Sequence, residues 1–298
     1  MTTETKQIEK TSWRDYFDLC KPRVVGLLVI TAMVGVVLAS PPGELSIFVL
    51  VVSAIGIGLG SAAGAVINQL VERESDAKMA RTEGRPLPTG RVDQQHAFVF
   101  ALLLAAASVF ILTAWINVLT AVLTFASMIG YAVIYTMYLK KATPQNIVIG
   151  GLAGATPPLL GWTAVTNSID PQGLLLVLII YTWTPPHFWA LAIHRRDDYA
   201  KVNLPMLPVT HGIEFTKFSI LGYTIIMIMV TLLPYLIFMS GWIYLLSATV
   251  LNLYFLYMVL VLTFTEKKNA AIKTFVYSIN YLLLLFVSMV VDHYLVEI

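Results

Sequence analysis

Ala62-Ala63-Gly64-Ala65-Val66-Ile67-Asn68-Gln69-Leu70-Val71-Glu72-Arg73-Glu74-Ser75-Asp76 is the stretch in which a long apolar run meets its first dense cluster of charge. Upstream of it the chain carries no charged residue back to Glu44, and Gly56, Gly60 and Gly64 recur at four-residue spacing. Four residues advance an α-helix by one turn plus about 40°, so these glycines form a seam along which a neighbouring helix can approach closely. The same spacing continues through Asn68, Glu72 and Asp76. A packing seam therefore runs into a polar tip, with an amide and two carboxylates on one side of a helix end. A bilayer core of ~30 Å takes about 20 apolar residues per helix, so the stretch reads as a membrane-spanning helix whose end meets water.

The rest of the chain repeats that design. Hydrophobic residues make up 58% of the 298 and charged residues 12%, with a mean hydropathy of +0.78, which excludes a domain with a water-facing surface all round. Apolar segments fall at about 22–40, 46–70, 96–115, 117–139, 146–163, 171–193, 217–240, 242–262 and 271–292. The expected architecture is all-α: a polytopic membrane helix bundle with about nine transmembrane helices. It forms a single domain over 1–298, with a polar segment at 1–21 and the bundle at 22–292.

Charge supports the count. With the N-terminus cytoplasmic, all 19 Lys and Arg fall on inside segments, while the outside loops hold Glu44 and Asp170 and the outer C-terminus adds Asp292 and Glu297. The positive-inside rule thus predicts the N-terminus inside and the C-terminus outside. Trp115, Trp162 and Trp242 fall at predicted outer ends, where interfacial aromatics belong. The net charge of +2 gives no reason to invoke nucleic acid. Cys20 stands alone, so neither an intrachain disulfide nor a cysteine metal cluster is expected. The polar, mixed-charge start lacks the features of a secretory or transit peptide, which points to a bacterial cytoplasmic membrane.

Two inner loops, 72–95 and 194–216, are the longest connections. Arg85-Pro86-Leu87-Pro88-Thr89-Gly90 in the first is similar to Leu204-Pro205-Met206-Leu207-Pro208 and Thr210-His211-Gly212 in the second. A duplication of four-helix units with a ninth helix appended would set the two loops around a central cavity. Asn68, Glu72 and Asp76 offer oxygens to a hard cation such as Mg²⁺, with substrate phosphate completing its shell. Lys78, Arg81 and Arg85 could clamp the diphosphate. The second loop opens with Arg195, Arg196, Asp197 and Asp198, the same mixture at the same kind of boundary, and Asp198 is the metal-ligand candidate there. Lys140 and Lys141 precede a helix N-terminus, where side-chain charge and helix dipole both attract an anion. The plainer alternative is that these charges mark the membrane edge and neutralise one another. Acids in both loops favour a shared diphosphate site.

Pro185 and Pro186 are expected to break the hydrogen-bond ladder and kink the sixth segment. That leaves His187 at membrane depth, a functional candidate or else the partner of a carbonyl freed by the kink. Tyr181, Trp183, Phe188 and Trp189 could stack on a flat or polyene ligand, or simply pack. Thr143, Gln145 and Asn146 add polar groups beside the lysine pair. Asn280, midway along the last segment, is expected to make an interhelical hydrogen bond.

Together these motifs resemble a known family over almost the whole chain. They comprise Asp18-Leu19-Cys20-Lys21-Pro22-Arg23, the first acidic motif with Arg81-Thr82 and Arg85-Pro86-Leu87-Pro88, and Thr143-Pro144-Gln145-Asn146-Ile147-Val148-Ile149-Gly150-Gly151. Pro157-Pro158 with Gly161-Trp162, Pro185 to Trp189, and Asp197-Asp198-Tyr199 with Pro205-Met206-Leu207-Pro208 complete the set. The sequence resembles the haem-farnesylating branch of the intramembrane UbiA-type prenyltransferase superfamily. Relatives acting on quinone precursors share the acidic motifs but lack the Pro-Pro-His-Phe-Trp and Pro-Met-Leu-Pro signatures.

The resemblance implies transfer of a farnesyl group from farnesyl diphosphate to a vinyl group of haem b, giving haem O with Mg²⁺ assistance. It implies catalytic roles for Asn68, Glu72, Asp76, Asp197 and Asp198, and a haem or prenyl pocket including Asn146, Trp183, His187, Phe188 and Trp189. A respiratory oxidase or haem A synthesis partner is implied as well. Two features depart from the family pattern: Glu72 stands where the motif usually has Asp, and Asp197-Asp198 lacks acids spaced along a helical face. The competing readings are prenylation of an aromatic quinone precursor, a haem or prenyl-ligand transporter or chaperone, and a structural subunit of a respiratory complex. The near-absence of charge within the segments argues against ion-coupled transport.

Overall fold

The computed structural model describes residues 11–296, apart from the side chain of Lys141. Among the described residues every regular element is helical, and nine helices are long and apolar enough to cross a membrane: α1 Pro22–Ala39, α2 Ile47–Asp76, α3 Gln94–Trp115, α4 Val118–Leu139, α5 Asn146–Thr166, α6 Pro171–His194, α7 Gly212–Leu236, α8 Trp242–Phe264 and α9 Ala270–Leu295. The chain is a multi-pass membrane protein.

Two spans differ from their expected bounds by more than three residues. α2 continues past residue 70 to Asp76, because its polar side chains find cationic partners and the Ala77 N–H still bonds the Arg73 carbonyl. α7 starts at Gly212, whose φ of +83° lies in the left-handed region that glycine tolerates, and ends at Leu236, where the Pro234 carbonyl accepts from the N–H groups of Met239 and Ser240.

Small residues set the closest contacts. A Cβ on Gly35 would lie 2.0 Å from the Pro158 carbonyl oxygen, and one on Gly161 would lie 1.8 Å from that of Ala32. The backbones of α1 and α5 therefore touch, as helix association in lipid favours. The α2 seam behaves as expected: Gly56 faces Leu112, and Gly60 faces Thr124 and Ser108, whose Oγ donates to the Gly56 carbonyl at 2.7 Å. α6 to α9 enclose the largest core, including Trp189, Tyr244, Phe255 and Tyr281.

The helix does not end at Pro185-Pro186: α6 is one helix from Pro171 to His194. Both prolines are buried, and the helix carries on through the hydrogen bonds they cannot donate. α4 instead carries the irregularity, widening to π-helical hydrogen bonding over Gly130–Leu139.

At the end away from the long loops, Trp115 and Trp242 are exposed as expected of interfacial rings. Trp162 is not: it is buried and its Nε1 donates to Asp170 at 2.8 Å, so its polar edge is satisfied inside the protein. Asp292 accepts from the Gly241 N–H and from the Tyr244 N–H at 3.0 Å, capping α8. Asn280 departs from expectation too, being exposed beside α8 residues that line a common groove.

Candidate functional site

The polar tip of α2 is met by three segments, each bringing one cation. Lys21 holds a left-handed backbone at φ 51°, a conformation that costs an L residue about 1–2 kcal/mol, and Pro22 starts α1 directly after it. This turn aims its ammonium at the Asn68 Oδ1. The Asn68 Nδ2 donates to Thr136 Oγ1 at 3.1 Å, and Thr136 in turn donates to the Tyr131 carbonyl at 2.8 Å. The π-helical stretch of α4 thus fixes which way the amide oxygen points.

One turn on, Glu72 pairs with Lys140 from the end of α4. One turn further, buried Asp76 pairs with Arg85 Nη1 at 2.6 Å, while its own carbonyl accepts from Thr82 Oγ1 at 2.9 Å. Three oxygen acceptors alternate with three cations at a largely buried helix end. Burial of such pairs carries a desolvation cost that stability alone does not require. Burial above all, and then the neighbouring Arg85 charge, push the Lys21 ammonium down to about 8.

Beneath the tip, Tyr131 and Tyr135 stack with ring centroids 5.7 Å apart. Gly150 makes room for them, since a Cβ there would lie 2.0 Å from the Tyr135 ring. The two long loops meet at Tyr199. Its phenol is raised by burial, while Arg81 and Arg195 oppose that shift and Asp198 and Glu72 add to it, so charges from both loops act on one hydroxyl. Met79 and Leu204 close over Glu72, Thr136 and Lys140, leaving a cavity of about 10 Å³, room for about one water.

The second acidic stretch is more open. Asp198 pairs with Arg195 at 3.3 Å and Lys201 at 3.9 Å. Arg196 donates to the Pro208 carbonyl at 3.0 Å, which ties it to the Pro205–Pro208 turn rather than leaving it to clamp an anion. Asp197, Lys78 and Arg81 are exposed. The side chain of Lys141 lies outside the described residues.

The aromatic candidates divide. His187 Nδ1 lies 2.6 Å from Ser278 Oγ, a hydroxyl on α9 and not the freed carbonyl that was one of its two sequence readings. Its ring is stacked between Trp183 at 4.2 Å and Phe275 at 4.6 Å, with the edge of Phe188 at 5.0 Å. Trp183 Nε1 donates to the Ser278 carbonyl at 2.9 Å. Trp189 points elsewhere, buried and edge-on to Tyr223. Asn146 is buried and donates to the Lys140 carbonyl at 3.3 Å, so it holds the chain beside Lys140 in place.

Sequence reasoning passed over Lys21, Thr136, Tyr131, Tyr135 and Tyr199 as site residues. A lysine wedged before a proline at the head of a membrane span was a usable signal for the first. The tyrosines carried none, because aromatics on a membrane helix read as packing.

Among the described residues no three His, Cys, Asp or Glu side chains converge as a protein-only metal cage. The donor chemistry of Asn68, Glu72 and Asp76 nevertheless fits Mg²⁺, which takes one or two carboxylates and completes its shell with water and phosphate.

The UbiA prenyltransferase family model matches residues 28–288. The protein named protoheme IX farnesyltransferase 2 from Pseudoalteromonas atlantica is 59% identical over 283 residues, covering 95% of this chain and 92% of that one. In fold, the chain is similar to a digeranylgeranylglyceryl phosphate synthase with a TM-score of 0.79 at 18% identity, covering 95% of this chain and 99% of the other. It is similar also to a UbiA homologue from Archaeoglobus fulgidus bound to DMAPP and Mg²⁺, with a TM-score of 0.61 at 17% identity, covering 92% and 99%. The family match runs from α1 to α9 and takes in the whole polar tip of α2, so the chain belongs to the UbiA prenyltransferase family.

Proposed function

We propose that this chain transfers the farnesyl group of farnesyl diphosphate to a vinyl group of haem b, giving a hydroxyethylfarnesyl haem, haem O. It acts as a single intramembrane domain in a bacterial cytoplasmic membrane, with the polar tip of α2 and both long loops on the cytoplasmic face. The observation that carries this reading is the alternation of Asn68, Glu72 and Asp76 with Lys21, Lys140 and Arg85, an array charged for both halves of a metal diphosphate.

Lys21, Lys140 and Arg85 exchange their carboxylate and amide partners for phosphate oxygens, and Arg81 and Arg195 add to them from the two loops. Asn68, Glu72, Asp76 and Asp198 are the residues that would hold Mg²⁺, which when bound supplies Lewis-acid stabilisation of the departing diphosphate. The allylic carbon–oxygen bond breaks with its electron pair remaining on the diphosphate, and cations fixed in advance around that charge lower the barrier. The stacked faces of Tyr131 and Tyr135 stabilise the allylic cation in a site that Met79 and Leu204 screen from water. The vinyl carbon then attacks, the new cation beside the porphyrin ring takes the oxygen of one water, and one proton is released. The Trp183, His187 and Phe275 stack is the surface assigned to the acceptor.

The test is incubation of the purified protein with haem b, farnesyl diphosphate and Mg²⁺, with and without chelator, followed by mass spectrometry of the haem. A Mg²⁺-dependent mass gain equal to a farnesyl group plus a hydroxyl is expected. Unmodified haem beside a prenylated quinone precursor would overturn the acceptor, and no transfer to either would overturn the enzyme reading.

A further inference from the structure

Away from the polar tip, α8 and α9 enclose a cavity of about 490 Å³, within the range of small-molecule sites. It opens on the outer side of α9. The inner side of that helix buries Thr274, Ser278 and Tyr281, with Ser278 against His187, whereas Lys273, Val276 and Asn280 on the other side are exposed. The cavity is thus one helix thickness away from the proposed acceptor surface and separate from it.

Three features give the cavity a chemistry. Lys267 and Lys273 line it, and neither forms an ion pair among the described residues, unlike Lys140 at the α2 tip. Tyr254, Tyr257 and Tyr277 form its walls, with Tyr254 and Tyr277 edge to face at 4.7 Å. Asn280 lies about 10 Å along α9 from Lys273 by helix rise and lines the cavity too. A bare amide facing hydrocarbon is costly, so its position favours an occupant that is not simply an acyl chain.

The geometry points to a docking groove for an acidic porphyrin on the lipid side of α9. The two lysines match a pair of propionate carboxylates, the tyrosines match a flat macrocycle, and the groove opens to the bilayer through which so apolar a ligand travels. This rests on the reading of haem b as acceptor and adds a second site for that same compound.

The test is titration of haem b into the purified full-length protein, followed by absorbance, with the wild type compared with the Lys267→Ala/Lys273→Ala double variant. Steady-state farnesyl transfer is measured on the same preparations. The double variant is expected to lose one of two binding phases and to raise the haem KM about tenfold, as loss of two exposed charge contacts would. Its kcat and its KM for farnesyl diphosphate are expected to stay as in the wild type, and the Lys267→Arg/Lys273→Arg variant to restore haem binding. Haem dimethyl ester, which lacks the carboxylates, should bind wild type and double variant alike.

Equal haem binding by wild type and double variant would overturn the groove, as would an ester that binds the wild type as tightly as the diacid. Displacement of haem from this phase by equimolar phosphatidylglycerol would assign the groove to an anionic lipid instead. A wild type that shows the lysine-dependent phase but never farnesylates haem would overturn the acceptor reading and leave the groove standing.

Discussion

Replacing Lys21 with methionine should make the protein more stable and less able to bind farnesyl diphosphate. The ammonium is held down to about 8 from an ordinary value of 10.5. At about 1.4 kcal/mol per pH unit, that gap is about 3 kcal/mol of native-state cost when the lysine is charged in both states. Methionine fills similar space without charge but leaves the Asn68 Oδ1 without its donor, a loss of about 1 kcal/mol. The net gain at pH 7 is therefore about 2 kcal/mol.

The sign is fixed by proton counting. Between pH 8 and 10.5 the unfolded chain keeps this proton and the folded chain does not, so wild-type stability rises with pH in that window. The advantage of Lys21→Met over wild type should accordingly shrink as pH is raised from 7 to 10 in thermal unfolding of the detergent-solubilised proteins. Catalysis should show the other side of the same group: wild-type kcat/KM for farnesyl diphosphate falls above pH 8 as the cation is lost, and the variant lacks that inflection. A variant no more stable than wild type, a stability gap that does not change with pH, or an inflection that survives the substitution would refute the reasoning.

Asp76→Asn keeps the shape of the buried tip but removes the charge that faces Arg85. Turnover should drop at least about 100-fold while helical circular dichroism and elution volume stay unchanged. His187→Ala should raise the haem KM about tenfold through loss of its two stacked contacts, and equilibrium binding of farnesyl diphosphate should be unaffected. Gly161→Ala forces a methyl against the Ala32 carbonyl and should cost about 3 kcal/mol, read as a lowered Tm. Gly26→Ala, which meets nothing within 4 Å, should leave Tm unchanged.

Much of this molecule was legible before any coordinates. Apolar run length and the segregation of Lys and Arg determined nine spans, because the bilayer sets helix length and the cost of charge in hydrocarbon is local to each residue. Helical spacing alone put Asn68, Glu72 and Asp76 on one side of α2, and small residues at i and i+4 marked its packing seam. Such features depend on one segment and its solvent.

Pairings between segments needed the tertiary structure. Sequence spacing assigns Lys140 no partner, yet packing of α4 on α2 gives it to Glu72, and the turn at Lys21 reaches Asn68 across 47 residues. Pro185 and Pro186 carry a local signal of lost hydrogen bonds, and only the packed bundle, which buries both, decides that α6 runs on past them to His194. Asn280 read as an interhelical bond because nothing in the sequence says which face of α9 is covered. Whether a side chain lines a site, binds a neighbour or faces lipid is set by what lies opposite it, and distant segments supply that only once the bundle has packed.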